Sequence, residues 1–469
     1  MQSSELSRIP KVDDVLALRA VEAKCEAGFR DSVVAAVRAE LASIREGLLS
    51  GALQEAPSVG RIEAAVLARV ERNGENALKR VVNATGIVLH TNFGRAPLPK
   101  AAVEAVNSVA AGYSNLEYSL CDRQRGSRDD HVSKLVAELT GAEDALVVNN
   151  NASAVLLALA ALAKAKEVLL SRGELVEIGG CFRVPEVMEQ SGCILMEVGT
   201  TNRTRLADYA RALSPACGAL LKVHTSNFKM TGFVESASVE ELSSLAKDAG
   251  LPLIHDLGSG VLNRRIKTLV PMLAQHDEPT LEDSLTGGAD VVCFSGDKLL
   301  GAAQAGIIAG KKAYIDVMRK HPLLRAMRVD KMTLAALEAT LRLYRDPARA
   351  MKEIPALHML SASALEVKEK AERLLRLFSL GDAATLELTE TAVQAGGGSV
   401  PGGETKSYAV AVGPKDISVD ELDRRLHAQK LPVVGRISKE RLLLEARTLF
   451  EEDLEPVALA LAFALEVRP

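Results

Sequence analysis

The run Ala289-Asp290-Val291-Val292-Cys293-Phe294 leads straight into Ser295-Gly296-Asp297-Lys298. It is short, apolar and β-branched, and it follows Gly287-Gly288, the pattern of a strand buried on both faces of a parallel sheet. A second such run, Leu253-Ile254-His255, ends in Asp256-Leu257-Gly258. Ligands of open α/β sheets bind in the crevice beyond the carboxyl ends of the strands. The chain is therefore constrained to a fold that brings an acid and an amine to one sheet edge. Lysine is among the least buried residue types, so in such a crevice it needs a charge partner, a phosphate or a covalent role.

A Schiff base between Lys298 and pyridoxal phosphate (PLP) fits this order best, with Asp256 as the carboxylate that keeps the pyridinium nitrogen protonated. Strand-Asp followed by strand-Lys is the order of fold-type I PLP enzymes. A lysine contacting some other anion in an ordinary α/β pocket is the competing reading. Upstream, Ala145-Leu146-Val147-Val148 reads as a buried strand running through Asn149-Asn150-Asn151-Ala152-Ser153 into a helical stretch, Ala154 to Ala160. Free amides of a first helical turn, at the positive end of the helix dipole, cradle a phosphate. Asn151 and Ser153 can cap that helix and add donors, and Ala152 and Ser295 join them as cofactor-binding candidates. Asn and Ser cap most helices, so the signal gains its weight from standing before the Asp and Lys strands. Further strands are expected at Glu167 to Leu170, Cys193 to Val198 and Ala219 to Val223. The last leads into His224-Thr225-Ser226-Asn227, where Asn227 can bond the cofactor's phenolic oxygen and His224 can lie near its ring. Satisfying loop backbone would account for either side chain equally.

The length of 469 residues, 48% hydrophobic and 25% charged, allows two or three domains and a large core. Trp is absent and aromatics are scarce, so packing relies on Ala, Leu and Val. No apolar run reaches the roughly 20 residues needed to cross a bilayer, and Met1 to Glu5 carries neither a basic start nor an apolar stretch. A cytoplasmic protein with no membrane contact is expected. Six cysteines, Cys25, Cys121, Cys181, Cys193, Cys217 and Cys293, show no metal spacing and read as reduced thiols, with no metal. A net charge of −4 argues against nucleic-acid binding through the overall field, so any RNA partner must be held by local patches.

Three blocks follow one another. Residues 1–80 alternate apolar and charged positions at helical spacing, as in Val33 to Leu41 and Ile62 to Val70, with turns at Ser50-Gly51 and Pro57 to Gly60. Residues 81–330 alternate strands and helices. Residues 331–469 begin with a long helix, Thr333 to Tyr344. A small α+β domain follows, with strands at Tyr408 to Val412, Val433 to Ile437 and Arg441 to Leu444. Gly396 to Gly403 reads as a mobile loop that helps close a site or merely connects elements.

These residues also match a family. Val82-Asn83-Ala84-Thr85-Gly86-Ile87-Val88-Leu89-His90-Thr91-Asn92-Phe93-Gly94-Arg95-Ala96-Pro97-Leu98, Lys222 to Asn227, Asp256 to Gly260, Ser295 to Gly301 and His321 to Lys331 resemble, in family order, the bacterial selenocysteine synthases. Those enzymes are L-seryl-tRNA(Sec) selenium transferases. The resemblance covers nearly the whole chain. It departs at Ala302-Ala303, where the family usually has Gly-Pro.

The resemblance implies an α/β fold: a large fold-type I, aspartate aminotransferase-like PLP domain with a mixed, mostly parallel sheet, a small C-terminal α+β domain and an N-terminal helical domain that recognises tRNA. It implies conversion of L-seryl-tRNA(Sec) to L-selenocysteinyl-tRNA(Sec) with selenophosphate through an aminoacrylyl intermediate, Lys298 being the base once freed from the cofactor. Arg95, Arg325 and Arg328 match positions that bind the donor's phosphoryl group, which suits a planar, permanently charged fork. Arg325 and Arg328 share one face if their stretch is helical, and ordinary surface salt bridges would account for them otherwise. Asp297 is a catalytic candidate or a partner for a nearby cation. A homo-oligomer is implied, at least a dimer and, by resemblance, a decameric ring of dimers. The basic loop with Arg123, Arg125 and Arg128 either reaches a neighbour's phosphate group or the tRNA, or is simply solvated. Two rivals stay open: a PLP lyase acting on a small phosphorylated substrate, which has no evident need of residues 1–80, and a non-catalytic tRNA-binding scaffold, against which Lys298 and Asp256 argue.

Overall fold

Buried β-branched runs and Ala/Leu-rich helices sort into two compact units in a computed structural model, Met1–Arg80 and Val81–Pro469. The structure describes residues 5–74, 76–178 and 182–467, so Cys181 lies outside the described residues. The first unit is helical: α1 (Val12–Leu16), α2 (Arg19–Lys24), α3 (Arg30–Ser50) and α4 (Val59–Gly74). Val33, Val37, Leu41, Ile44 and Leu48 recur at three- and four-residue spacing along α3. They meet Ile62, Val66 and Val70 of α4 in a core of their own. Gly51 ends α3 in the left-handed conformation, as the Ser50-Gly51 break predicts. Val59-Gly60, expected in a turn, instead opens α4.

The second unit is built on a seven-stranded sheet. Its strands are β1 (Asp144–Val148), β2 (Glu167–Ser171), β3 (Ile194–Val198), β4 (Cys217–Val223), β5 (Leu253–Gly258), β6 (Val291–Ser295) and β7 (Gly306–Gly310). The spatial order is β1-β7-β6-β5-β4-β2-β3, and only β7 runs antiparallel to its neighbours. This is the mixed, mostly parallel sheet of the aminotransferase-like fold. Every residue of β5, β6 and β7 is buried. Two apolar clusters, one on each face, explain why these strands read as continuous rather than alternating apolar runs. The register pairs Val223 with Asp256 and Asp256 with Cys293, which sets the ends of β4, β5 and β6 side by side. Helix α5 (Asn151–Leu162) follows β1 and lies against β6 and β7.

Beyond α6 (Leu323–Ala326) and α7 (Lys331–Leu343) the chain forms a four-stranded antiparallel sheet. It comprises β8 (Ala384–Gly396), β9 (Ser399–Pro414), β10 (Arg436–Ser438) and β11 (Arg441–Glu445), in the order β8-β9-β11-β10. The glycine stretch expected as a loop is instead the tip and first residues of a long hairpin. Only Gly397 and Gly398 lie between the strands, and residues 399–403 belong to β9. β8 escapes a reading of the sequence because Thr385, Glu387, Thr389 and Thr391 interrupt any apolar run. Its pairing with β9 over more than ten residues supplies the order that composition hides. No helix among the described residues is long and apolar enough to cross a membrane.

Candidate active site

Lys298 and Asp256 meet where β5 and β6 end, 4% and 3% exposed. Burial pushes the Asp256 carboxyl upward, against the Asn151 hydrogen bond and the positive charge of Lys298. Burial, with Arg95 second, pulls the Lys298 amine below its ordinary range, while Asp256, Asp297 and Glu278 oppose that shift. Both groups thus sit in a desolvated place that is expensive to build unless another charged or polar partner completes it. Gly258 lies between them at φ 68°. A Cβ there would meet the Ser226 hydroxyl, an Asp256 oxygen and Lys298 Nζ at 3.8 to 4.0 Å, ordinary contact, so it is the left-handed backbone rather than space that calls for glycine.

The turn from β1 into α5 forms the opposite wall. Its cap is Asn150, not Asn151 or Ser153 as expected: Asn150 is extended (φ −164°, ψ 169°) and its side-chain oxygen accepts from the Ser153 amide at 2.9 Å. Three successive asparagines carry the same capping signal, and only the backbone conformation picks one. Asn151 is thereby free to turn inward, and its Nδ2 donates to Asp256 Oδ1 at 2.8 Å. The amides of Asn151 and Ala152, in the first turn, have no intrahelical acceptor, and both residues line the cavity.

Arg95, Asn150, Asn151, Ala152, Ile178, His224, Ser226, Asp256, Gly258, Ser295, Lys298 and Gln304 line a cavity of about 260 Å³. Arg95 reaches it from the 82–98 segment with a left-handed backbone, φ 63°, uncommon for a residue with a Cβ. Its Nη1 donates to Asp297 Oδ2 at 2.7 Å, and the Ala96 amide donates to the Asp297 carbonyl at 3.2 Å. The residue beside the lysine is thus tied to the arginine rather than facing the cavity. Ala302, at the departure from the family pattern, is buried and its amide donates to the Gly296 carbonyl at 2.8 Å.

Other expected site residues lie elsewhere. Asn227 is exposed and donates its side-chain amide to the Glu177 carbonyl at 2.7 Å, so its nitrogen is turned away from a ring oxygen in the cavity. Ser153 and Asp297 are outside the lining. Arg325 and Arg328 do not share a helical face, because α6 ends at Ala326. Arg328 instead bridges Val148, and the Asn149 amide donates to the Met327 carbonyl at 3.0 Å, which docks this segment beside the α5 turn. Arg328 lies 3.5 Å from Glu117, which Arg128 also grips at 2.5 Å and Arg125 at 3.4 Å. Arg125, Arg128 and Arg328 thus converge on one carboxylate: Arg128, which also donates to the Val329 carbonyl, is a structural tie, while Arg125 stays largely exposed. Ser226 stands in the segment expected to reach the crevice, whereas sequence reasoning missed Asn150, Ile178, Gln304 and the buried Glu278. None carries a motif of its own; each is recruited by the path of its loop.

The cavity's chemistry fits PLP. A buried acid, a buried amine and free helix-terminal amides match its ring nitrogen, aldehyde and phosphate. Polar atoms without a partner, Asn151 Oδ1, His224 Nε2, Ser226 Oγ and Arg95 Nε, surround the same space. Fold and site together define a PLP-dependent enzyme of fold-type I. Comparison with known proteins narrows the class. The family model for L-seryl-tRNA selenium transferase matches residues 81–450, and the chain belongs to that family. The L-seryl-tRNA(Sec) selenium transferase of Geobacter sulfurreducens is 48% identical over 97% of this chain and 98% of its own length. That of Carboxydothermus hydrogenoformans is 46% identical over 96% of each. A solved D-glucosaminate-6-phosphate ammonia-lyase superposes with a TM-score of 0.57 at 21% identity, covering 84% of this chain and 97% of that one; the likeness is one of fold.

Proposed function

We propose that the chain converts L-seryl-tRNA(Sec) to L-selenocysteinyl-tRNA(Sec) with selenophosphate as donor. The observation that carries this reading is the buried Lys298 and Asp256 pair at the ends of adjacent strands, in a chain of this family. Bound in the cavity, PLP supplies the electron sink that makes removal of the seryl α-proton, and loss of the β-hydroxyl, accessible near neutral pH. The protein's own groups do the rest. Asp256, buried and oriented by Asn151, holds the ring nitrogen's proton. The amides of Asn151 and Ala152 receive the cofactor phosphate. The Lys298 amine, its proton affinity lowered by burial, takes and returns the proton at the substrate Cα.

Arg95, at the rim, and Arg328, docked beside the α5 turn, supply fixed positive charge for a phosphoryl group, with Arg325 on the adjoining exposed turn. Asp297 aims Arg95. Residues 1–80 form the tRNA-recognition unit; their separate core supports a detachable role. The active assembly is a homo-oligomer, at least a dimer, in the cytoplasm. Incubation with seryl-tRNA(Sec) and selenophosphate, followed by analysis of the aminoacyl-tRNA, tests the reading. Selenocysteinyl-tRNA should form with the native chain and not with Lys298→Ala.

A further inference from the structure

Glu278 stands in the loop before Pro279 and is 2% exposed. Its Oε1 has no hydrogen-bond partner, and it lies 3.6 Å from His224 Nε2, which also has none. A carboxylate this deep keeps its charge only beside a cation or a donor. The backbone that carries it is fixed on both sides. Asp277 is held at φ 51°, the Glu278 amide donates to the Leu273 carbonyl at 3.1 Å, and Thr280 is wholly buried and bonded to Asp283. His224 is held equally firmly, its amide donating to the Asp256 carbonyl at 2.9 Å. Its ring belongs both to the wall of the cofactor cavity and to that of a second cavity of about 330 Å³ behind it. The charges around the pair are unequal. Arg95, Asp256, Asp297 and Glu278 surround Lys298, so three carboxylates face two cations. Lys222, the next cation, is held by Glu174 at 3.0 Å and faces His255. An N–H at His224 Nε2, directed at Glu278, gives the unpartnered Oε1 a donor and leaves both atoms matched.

We propose that Glu278 is a positioning residue which holds the His224 imidazole with Nε2 protonated toward it, so that the ring is fixed in one orientation and tautomer against the cofactor. The proposal rests on reading the cavity as a PLP site. Glu278 touches neither cofactor nor substrate and acts through His224 alone.

A double-mutant cycle on PLP uptake tests it, since apoprotein titration by absorbance needs no tRNA and no turnover. Glu278→Gln and His224→Gln should each weaken PLP binding by about tenfold, and the double variant should be no weaker than the weaker single variant, within about twofold. Glu278→Asp should recover part of the loss, and only while His224 is present. Losses that multiply in the double variant, or a Glu278→Gln protein that binds PLP like the native chain, would overturn the assignment. Should Glu278→Gln fail to fold, comparing Glu278→Asp with and without His224→Gln separates the same two outcomes. A native chain that takes up no PLP defeats the enzymatic reading first, and the pair's role falls with it.

Discussion

Lys298 illustrates how a functional group costs stability where it acts. Its amine is more easily deprotonated in the folded chain than in the unfolded one, because burial first and Arg95 second penalise the ammonium. The sign follows from linkage. A lysine whose folded pKa lies below its ordinary 10.5 destabilises the fold at neutral pH, and that penalty disappears as pH rises through 10.5. Apo Lys298→Met should therefore melt higher than the native apoprotein at pH 7, with the gap closing toward pH 10.5, as measured by calorimetry. The same substitution should remove the cofactor's borohydride-reducible attachment. Lys298→Ala should lower turnover by at least roughly 10²–10⁴-fold, the scale of a lost acid-base group. Asp256 shows the opposite shift for the same cause. Asp256→Asn should leave the fold intact while weakening PLP retention during dialysis.

Secondary-structure elements carry these residues, and two of them yield expectations of their own. Asn150 caps α5 through the Ser153 amide. Asn150→Ala should cost about 1 kcal/mol in denaturant unfolding, a typical cap loss, and also loosen PLP because the phosphate amides fray with the first turn. At the hairpin tip, Gly396 has φ 80°, and a Cβ would stand 2.3 Å from Ile87 Cγ2 and 3.2 Å from the Leu89 carbonyl. Gly396→Ala should destabilise by about 1–3 kcal/mol, combining left-handed strain with overpacking. The strands bearing Lys298 and Asp256 are legible in the sequence because burial on both faces writes them as unbroken apolar runs. The hairpin is not, since Thr and Glu recur among the apolar residues of β8 and its order comes from pairing with a partner strand. The capping residue and Glu278 are illegible for a related reason: their roles depend on backbone angles and on which loop passes nearby, neither of which leaves a periodic trace.

At the scale of the whole chain, the N-terminal unit has its own apolar core, made only of residues between Leu6 and Val70. Removing it should leave the PLP site whole. A chain beginning at Val81 should take up PLP with the native spectrum yet fail to retain tRNA(Sec) in a filter-binding assay, whereas the full chain does both. Loss of PLP from the shortened chain would mean the first unit supports the site directly.

The hairpin of β8 and β9 has a reach that sets it apart from the other strands. Thirteen residues at about 3.4 Å each make β8 a rod of roughly 40 Å. At its far end, a Cβ placed on Gly398 would stand 3.6 to 3.7 Å from Asn227, Ile178 and the Ser226 hydroxyl. Only the root of the hairpin is braced by a further strand, since β11 pairs with β9 from Ala409 to Val412. The tip is held as well: the Leu89 amide donates to the Ala395 carbonyl at 2.8 Å, and Ser399 and Val400 are buried. The hairpin is thus a strut fixed at both ends, carrying Gly398 from the C-terminal sheet to the wall of the cofactor cavity.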